Sequence, residues 1–271
     1  MARKAGLVLA SASAARRRLL AAAGVTFEVL PAKVDEGKLR EAYLSRKSKL
    51  PPEDIALRLA RAKAEWAARR RPKAIVIGAD QVLAADFHHQ DRALEQSSPL
   101  PSGSSPEQAL FLFPAGRGDD KSNRINAGDA SPRREEAGPK GRVRGRSVGR
   151  NAGPTALISK ARDLGEARDV LRALRGRGHE LHSAVVVRGG TDAPWEHVAT
   201  ARLRMRKFSD EFLEDYLDRD GGEALASVGC YRVEDRGIQL FERVDGDHSV
   251  ILGLPLLPLL AELRRRGVLP Q

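Results

Sequence analysis

The chain has 271 residues, 41% hydrophobic but only 4% aromatic, with a formal charge of +11; this allows one large or two small domains and suits a polyanionic ligand. The single cysteine, Cys230, excludes an internal disulfide and a cysteine-based zinc cluster, and it fits a reducing compartment. No apolar run reaches the roughly 20 residues of a membrane helix, so the expectation is a cytoplasmic protein with no membrane partner. Met1, Ala2, Arg3 and Lys4 ahead of residues 6–10 imitate a signal peptide, but the apolar stretch is short and Arg16, Arg17 and Arg18 follow it.

In chain order, the apolar run 7–10 reads as a strand that ends in Ser11 and Ser13. An Ala-rich helix starts at once, with Arg16, Arg17 and Arg18 in its first turns. A strand, a polar turn, a helix N-terminus and guanidinium groups together make an anion site, because free N–H groups and the helix dipole attract a phosphate. Of the three arginines, Arg16 is expected to serve the site, and Arg17 and Arg18 the helix surface. Gly24 stands where a helix-ending glycine should. Residues 25–30 alternate as a strand, and Asp35 and Glu36 lie in a turn. Pro51, Pro52 and Glu53 open a helix with Ile55, Leu59, Ala62 and Trp66 on its apolar face and Arg58 and Lys63 off it. Residues 74–77 form a buried strand that delivers Asp80 just past its C-terminal end, a favoured place for chemistry in α/β folds.

Residues 87–157 change character. Ser, Gly, Pro and Arg dominate, periodicity is lost, and the segment reads as a disordered, low-complexity basic insertion. In its second half Arg133, Arg134, Lys140, Arg142, Arg144, Arg146 and Arg150 face only Glu135 and Glu136. The insertion thus inflates the global charge and weakens the case for nucleic acid as the partner. The expected organisation is therefore residues 1–86 and 158–271 as two parts of one domain, interrupted by 87–157.

After the insertion, Lys160 follows Ser159, and residues 166–175 read as a helix. Residues 179–187 and 198–205 read as strands, the second alternating Ala201, Leu203 and Met205 with Arg202, Arg204 and Arg206. Ser209 caps a helix, residues 238–242 read as a strand, and Gly253, Leu254 and Pro255 open a last helix that ends in Arg264, Arg265 and Arg266.

The acidic candidates are Asp35, Glu36, Asp80 and Glu234; the basic ones are Arg16, Arg17, Arg58, Lys63 and Lys160. Carboxylates beside lysines and arginines suit metal-assisted attack of water on a phosphate anhydride. No histidine stands in a helical metal-binding motif, and His179 and His182 fall on opposite faces of a strand, a poor chelating geometry. No Walker A, GxSxG or GxGxxG motif is present.

Leu9, Ala10, Ser11, Ala12 and Ser13 with Arg16 and Arg17, then Val34, Asp35 and Glu36, then Arg58, Leu59 and Ala60 with Lys63 and Ala64 occur in that order. Gly78, Ala79 and Asp80, then Gly176, Ser183, and Gly253, Leu254 and Pro255 complete the series. With this ordered set the chain resembles the Maf-like nucleoside triphosphate pyrophosphatases over nearly its whole length outside 87–157. The resemblance implies an α/β fold around a mixed, strongly curved sheet flanked by helices, with two lobes around a central cleft. It implies hydrolysis of a nucleotide to its monophosphate and pyrophosphate with a divalent cation, Mg²⁺ or Mn²⁺, and it allows a homodimer. Asp80 matches the family's proposed proton acceptor, Ser11, Ser13, Arg16, Lys63 and Lys160 its phosphate-binding positions, and Glu36 a metal- or water-binding acid, so that Glu36 and Asp80 are the expected metal site. Gln81 and Glu234 resemble the branch acting on 7-methyl-GTP, where Glu234 could accept N–H groups of a guanine edge and Gln81 could offer both a donor and an acceptor. Ala15 stands where the family carries a larger Trp or Arg, and Lys160 follows the insertion instead of a short hairpin. Two alternatives stay open from the sequence: a pyrophosphatase for dTTP or UTP, and a non-catalytic nucleic-acid-binding or regulatory protein on the same scaffold.

Overall fold

The computed structural model describes residues 6–44, 50–85 and 156–271, all within one unit formed by Met1–Gln96 and Gly153–Gln271. The expected insertion lies outside the described residues except for its last two positions, Ala156 and Leu157, which are part of a strand.

The backbone runs β1 (Leu7–Leu9), α1 (Ala14–Ala22), β2 (Glu28–Val29), α2 (Glu36–Leu44), α3 (Pro52–Arg70), β3 (Ile75–Ala85) and β4 (Ala156–Ile158). It continues as α4 (Leu164–Leu174), β5 (Gly178–Arg188), β6 (Trp195–Met205), α5 (Asp210–Ala224), a 3-10 turn (Arg236–Leu240), β7 (Phe241–Asp245), α6 (His248–Ile251) and α7 (Leu256–Arg265). The seven strands make one mixed sheet in the order β2-β1-β3-β5-β6-β7, with β4 also on β3. β1 pairs in parallel with β2 and β3, and the other pairings are antiparallel. The expected mixed α/β sheet flanked by helices is the observed one.

Several local expectations are corrected. The strand expected over 25–30 shrinks to β2, because β1 offers it only Val8 and Leu9 as partners. The turn at Asp35 and Glu36 opens a helix: the Asp35 carboxylate accepts from the Lys38 N–H at 3.0 Å and caps α2. Residues 236–240 are a 3-10 turn, and the strand there begins only at Phe241. The largest change concerns β3, which runs straight through Gly78, Ala79, Asp80 and Gln81. Asp80 therefore sits in the middle of a strand and not past its end, since Val185, Ala184 and Ser183 of β5 continue the ladder beside it.

Successive side chains on β3 point to opposite faces of the sheet. Val76 and Val82 join a cluster with Ile55, Ala56, Leu59, Ala60, Ala64 and Ala67 of α3. Ile75, Ile77 and Ala79 join Leu20 of α1 and Leu259 and Leu263 of α7 on the other face. Farther along, Leu83, Leu181, Leu203 and Met205 pack with Leu171 and Leu174 of α4 and Leu213 and Leu217 of α5. Alternation thus sends Asp80 toward α3 and Gln81 to the opposite face.

One edge of β3 is shared. β1 pairs with Ile75, Val76 and Ile77, and β4 with Leu83, Ala84 and Ala85. Between them, at residues 78–82, no described strand covers that edge. This notch is where side chains from both faces of the sheet can reach one cleft.

Candidate active site

The cleft at the notch is lined by Ser11, Ser13, Ala15, Arg16, Glu36, Lys63, Asp80, Gln81, Lys160 and Glu234; of the candidates read from sequence, Arg17, Asp35 and Arg58 are not among its lining residues. It encloses a cavity of about 170 Å³ that opens to solvent. Five separate segments, with Glu36 at the start of α2 as a sixth, supply these side chains.

The first is the turn between β1 and α1. Ser13 caps α1 by accepting the Arg16 N–H at 3.4 Å, and Ser11 Oγ accepts the Ser13 N–H at 3.3 Å. Arg16 is buried. Its Nε donates to the Gly253 carbonyl at 2.7 Å, and its Nη1 donates to Ser11 Oγ and to the Ala79 carbonyl, each at 3.1 Å. Gly253 has φ +92°, and a Cβ there would lie 3.2 Å from Arg16 Nη2, so glycine both permits the turn and leaves room for the guanidinium. Burial lowers the Arg16 pKa, while the charges of Asp80 and Glu36 oppose that shift. Arg17 is exposed as expected. Arg18 is exposed too, but it reaches the rim and pairs with Glu234 at 3.1 Å.

The second and third segments are α3 and β3. The sequence placed Lys63 off the apolar face of α3; in the structure it is buried on that face, between Ala60 and Ala64. The helix lies almost against the strand at Gly78, where a Cβ would fall 2.4 Å from the Ala60 carbonyl oxygen and 2.6 Å from the Ala64 nitrogen. That contact brings Lys63 Nζ to 2.5 Å from Asp80 Oδ1 and 2.7 Å from Glu36 Oε1. Asp80 Oδ2 is buried without a hydrogen-bond partner among the described residues. Burial alone would raise the Glu36 pKa, but Lys63, Arg40 and Arg16 outweigh it and hold the carboxyl below its ordinary value.

The fourth segment follows β4. Pairing of Ile158 with Leu83 returns the chain to the notch and sets Lys160 in the cleft. Burial, with the charge of Arg16 next, lowers the Lys160 pKa. The fifth segment, residues 226–234, forms a wall with Ser227, Tyr231, Arg232 and Glu234. Tyr231 shares a 2.7 Å hydrogen bond with the buried His179 Nε2.

Gln81 differs from its sequence reading. Its Nε2 is turned to Ser183 Oγ at 3.0 Å and to the carbonyls of Val250 and Ile251 at 3.1 and 3.0 Å. The amide donor is thus used within the protein, and the amide oxygen is the atom left for a ligand. Two contributors escaped the sequence reading altogether. Tyr231 and its neighbours lie in an irregular loop with no local signature. Arg40 arrives on the unforeseen α2, for which the signal available was Asp35 followed by Glu36 at a helix start.

Among the described residues no group of three or more His, Cys, Asp and Glu side chains is placed to hold a metal. His179 and His182, expected to be poor chelators, are buried against Tyr231 and Thr200 respectively. No helix of the described residues is long and apolar enough to cross a membrane.

A family model described as "Maf-like protein" matches residues 6–101 and 152–266. The chain is 35% identical over 263 residues to the 7-methyl-GTP pyrophosphatase of Rhizobium meliloti (strain 1021), with 97% of each chain covered. It is likewise 35% identical to the nucleoside triphosphate pyrophosphatase of Granulibacter bethesdensis, over 97% of this chain and 98% of the relative. A third relative, the nucleoside triphosphate pyrophosphatase of Nitrobacter hamburgensis, is 37% identical over 97% of this chain and 95% of its own. The match breaks across residues 102–151 and resumes just before the strand that returns Lys160 to the cleft. Both halves of the cleft fall inside the matched segments, and the chain belongs to the Maf-like protein family.

Proposed function

We propose that this protein is a hydrolase that cleaves a nucleoside triphosphate between its α- and β-phosphates, giving the monophosphate and pyrophosphate. The carrying observation is Lys63 bridging Asp80 and Glu36 inside a cleft also lined by Arg16, Arg40 and Lys160. With Arg232 and Glu234 of the wall included, five cations against three carboxylates leave the cleft net positive, which suits a phosphate chain. The names of the relatives point the same way.

In this reading Asp80 is the proton acceptor. Lys63 fixes its Oδ1, and its unpartnered Oδ2 takes the proton of a water that attacks the α-phosphorus. Lys63 stays beside the developing charge, and Lys160 and Arg16 Nη2 neutralise phosphate oxygens. Ser11 and Ser13 hold the turn that fixes Arg16. Glu36 and Asp80, which both pair with Lys63, are the carboxylates that would hold a divalent cation, Mg²⁺ or Mn²⁺, since such ions bind through one or two carboxylates together with substrate phosphates. When bound, the cation supplies further neutralisation of the phosphate chain.

For the base we infer a guanine-type edge, 7-methyl-GTP being the first candidate. The Gln81 amide oxygen and the Glu234 carboxylate are both acceptors, and a guanine edge presents N–H groups to match them. Ala15, with its small side chain, lines the same cleft. The test is release of pyrophosphate from 7-methyl-GTP, GTP, dTTP and UTP with Mg²⁺ or Mn²⁺, by the wild type and by Asp80→Asn. The variant should lose about 10²- to 10⁴-fold in rate and keep its fold; full activity in Asp80→Asn would refute the assigned role, and preference for dTTP or UTP would refute the base assignment.

A further inference from the structure

We propose that Arg40 is a substrate-binding residue that holds the pyrophosphate half of the triphosphate. The inference rests on the pyrophosphatase reading above and adds to it a residue that no motif in the sequence marks.

Arg40 follows Glu36 by one turn of α2, so both project from one side of the helix, and both line the cleft. Its side chain is 16% exposed. Nη1 donates to Ser159 Oγ at 3.3 Å, which anchors the guanidinium next to Lys160. Nη2 stands 3.7 Å from Asp80 Oδ2, beyond hydrogen-bonding distance. Nε of Arg40 and Oδ2 of Asp80 are both buried without hydrogen-bond partners among the described residues. Buried polar atoms are ordinarily satisfied, and here two of opposite charge are left open at the wall of one cleft.

Four other arginines behave differently. Arg61, Arg71, Arg168 and Arg236 each hold a carboxylate at 2.7 Å or closer. Arg40 is a planar fork of donors with one hydroxyl partner and a loosely held carboxylate, the state of a guanidinium awaiting a bidentate anion. Its contacts, Asp80 and Ser159, belong to the side of the cleft that carries Glu36, Lys63 and Lys160. A separate wall, residues 226–234, carries Glu234, where the base is placed. A triphosphate laid from that wall past Asp80 brings its terminal phosphates to Arg40.

The test is product inhibition in the full-length enzyme, with Arg69→Ala, an exposed position on α3, as the control for lost charge. Arg40→Ala should raise the inhibition constant of pyrophosphate about ten-fold or more, the loss of one charge-assisted contact. It should leave that of the nucleoside monophosphate within about two-fold, and Arg40→Lys should fall between. Unchanged inhibition by pyrophosphate would overturn the proposal. So would equal shifts for both products, which mean that Arg40 acts only by propping the Ser159 segment. If Arg40→Ala does not fold, Arg40→Lys and Arg40→Gln carry the same comparison. If the wild type releases no pyrophosphate from any nucleotide, the pyrophosphatase reading fails by itself; calorimetric titration of wild type and Arg40→Ala with Mg²⁺-pyrophosphate then decides Arg40 separately.

Discussion

Gly78→Ala probes the contact that builds the site. In the native structure the new Cβ would lie 2.4 Å from the Ala60 carbonyl oxygen, 2.6 Å from the Ala64 nitrogen and 2.7 Å from the Ala64 Cβ. Two of these neighbours are backbone atoms, so no rotamer change can relieve the clash, and an ordinary contact begins near 3.4 Å. The helix α3 must therefore move away from β3 by about 1 Å. Overpacking of this kind costs about 1–3 kcal/mol, which lowers Tm by about 2–4 °C for each kcal/mol. Lys63 lies between Ala60 and Ala64 and moves with them. A displacement of about 1 Å opens its 2.5 Å contact to Asp80, and misplacement on that scale costs about 10²-fold in rate. Thermal unfolding followed by circular dichroism and pyrophosphate release at saturating nucleotide measure the two effects. A variant with unchanged Tm and unchanged kcat would refute the view that helix–strand contact at Gly78 sets the Lys63–Asp80 geometry.

Burial pushes the His179 imidazole down to about 4 from its ordinary 6.5, so below pH 6.5 the unfolded chain takes up a proton that the folded protein refuses. Stability should be full above pH 6.5 and fall by about 3 kcal/mol as the pH drops to about 4, at about 1.4 kcal/mol for each pH unit; urea unfolding of His179→Gln should lack that slope, and a variant with the wild-type slope would exclude His179 as its source. Replacing residues 88–153 with a short turn should leave kcat/KM within about two-fold, because Ala85 and Ala156 are already ladder partners and lengthening a closed loop is cheap; a loss of more than about ten-fold in a folded variant would count against this.

The parts of the site legible in the sequence are those whose geometry is local. Ser11, Ser13 and Arg16 lie within one strand–turn–helix unit, where capping and dipole rules act over a few residues. Asp80 was visible because an apolar strand carries it, although its mid-strand position depends on pairing with Ala184 of β5, far away in sequence. Lys63 was misplaced for a physical reason. A lysine is ordinarily a surface residue, and only the carboxylates of Asp80 and Glu36, supplied by two other elements, make its burial tolerable. The helix carrying Arg40 has little apolar periodicity, so nothing in its own pattern announced it. The short strand β4 was lost in the Ser-, Gly- and Arg-rich stretch before it, since three residues cannot establish a period.

The notch in the sheet ties these observations together. An uncovered stretch of strand edge leaves backbone groups unpaired, which proteins normally avoid. Here Arg16 covers the Ala79 carbonyl and at the same time presents a charge to the cleft, so one side chain closes the sheet and opens the site. The same arrangement explains how the chain tolerates a long interruption at this point. Ala85 and Ala156 face each other across the β3–β4 ladder, so the sheet fixes both ends of whatever connects them. Loop-closure entropy for the connection over residues 86–155 exceeds that of a tight turn by only about 2–3 kcal/mol. Lys160 is positioned by the pairing of Ile158 with Leu83, and not by the length of chain before it.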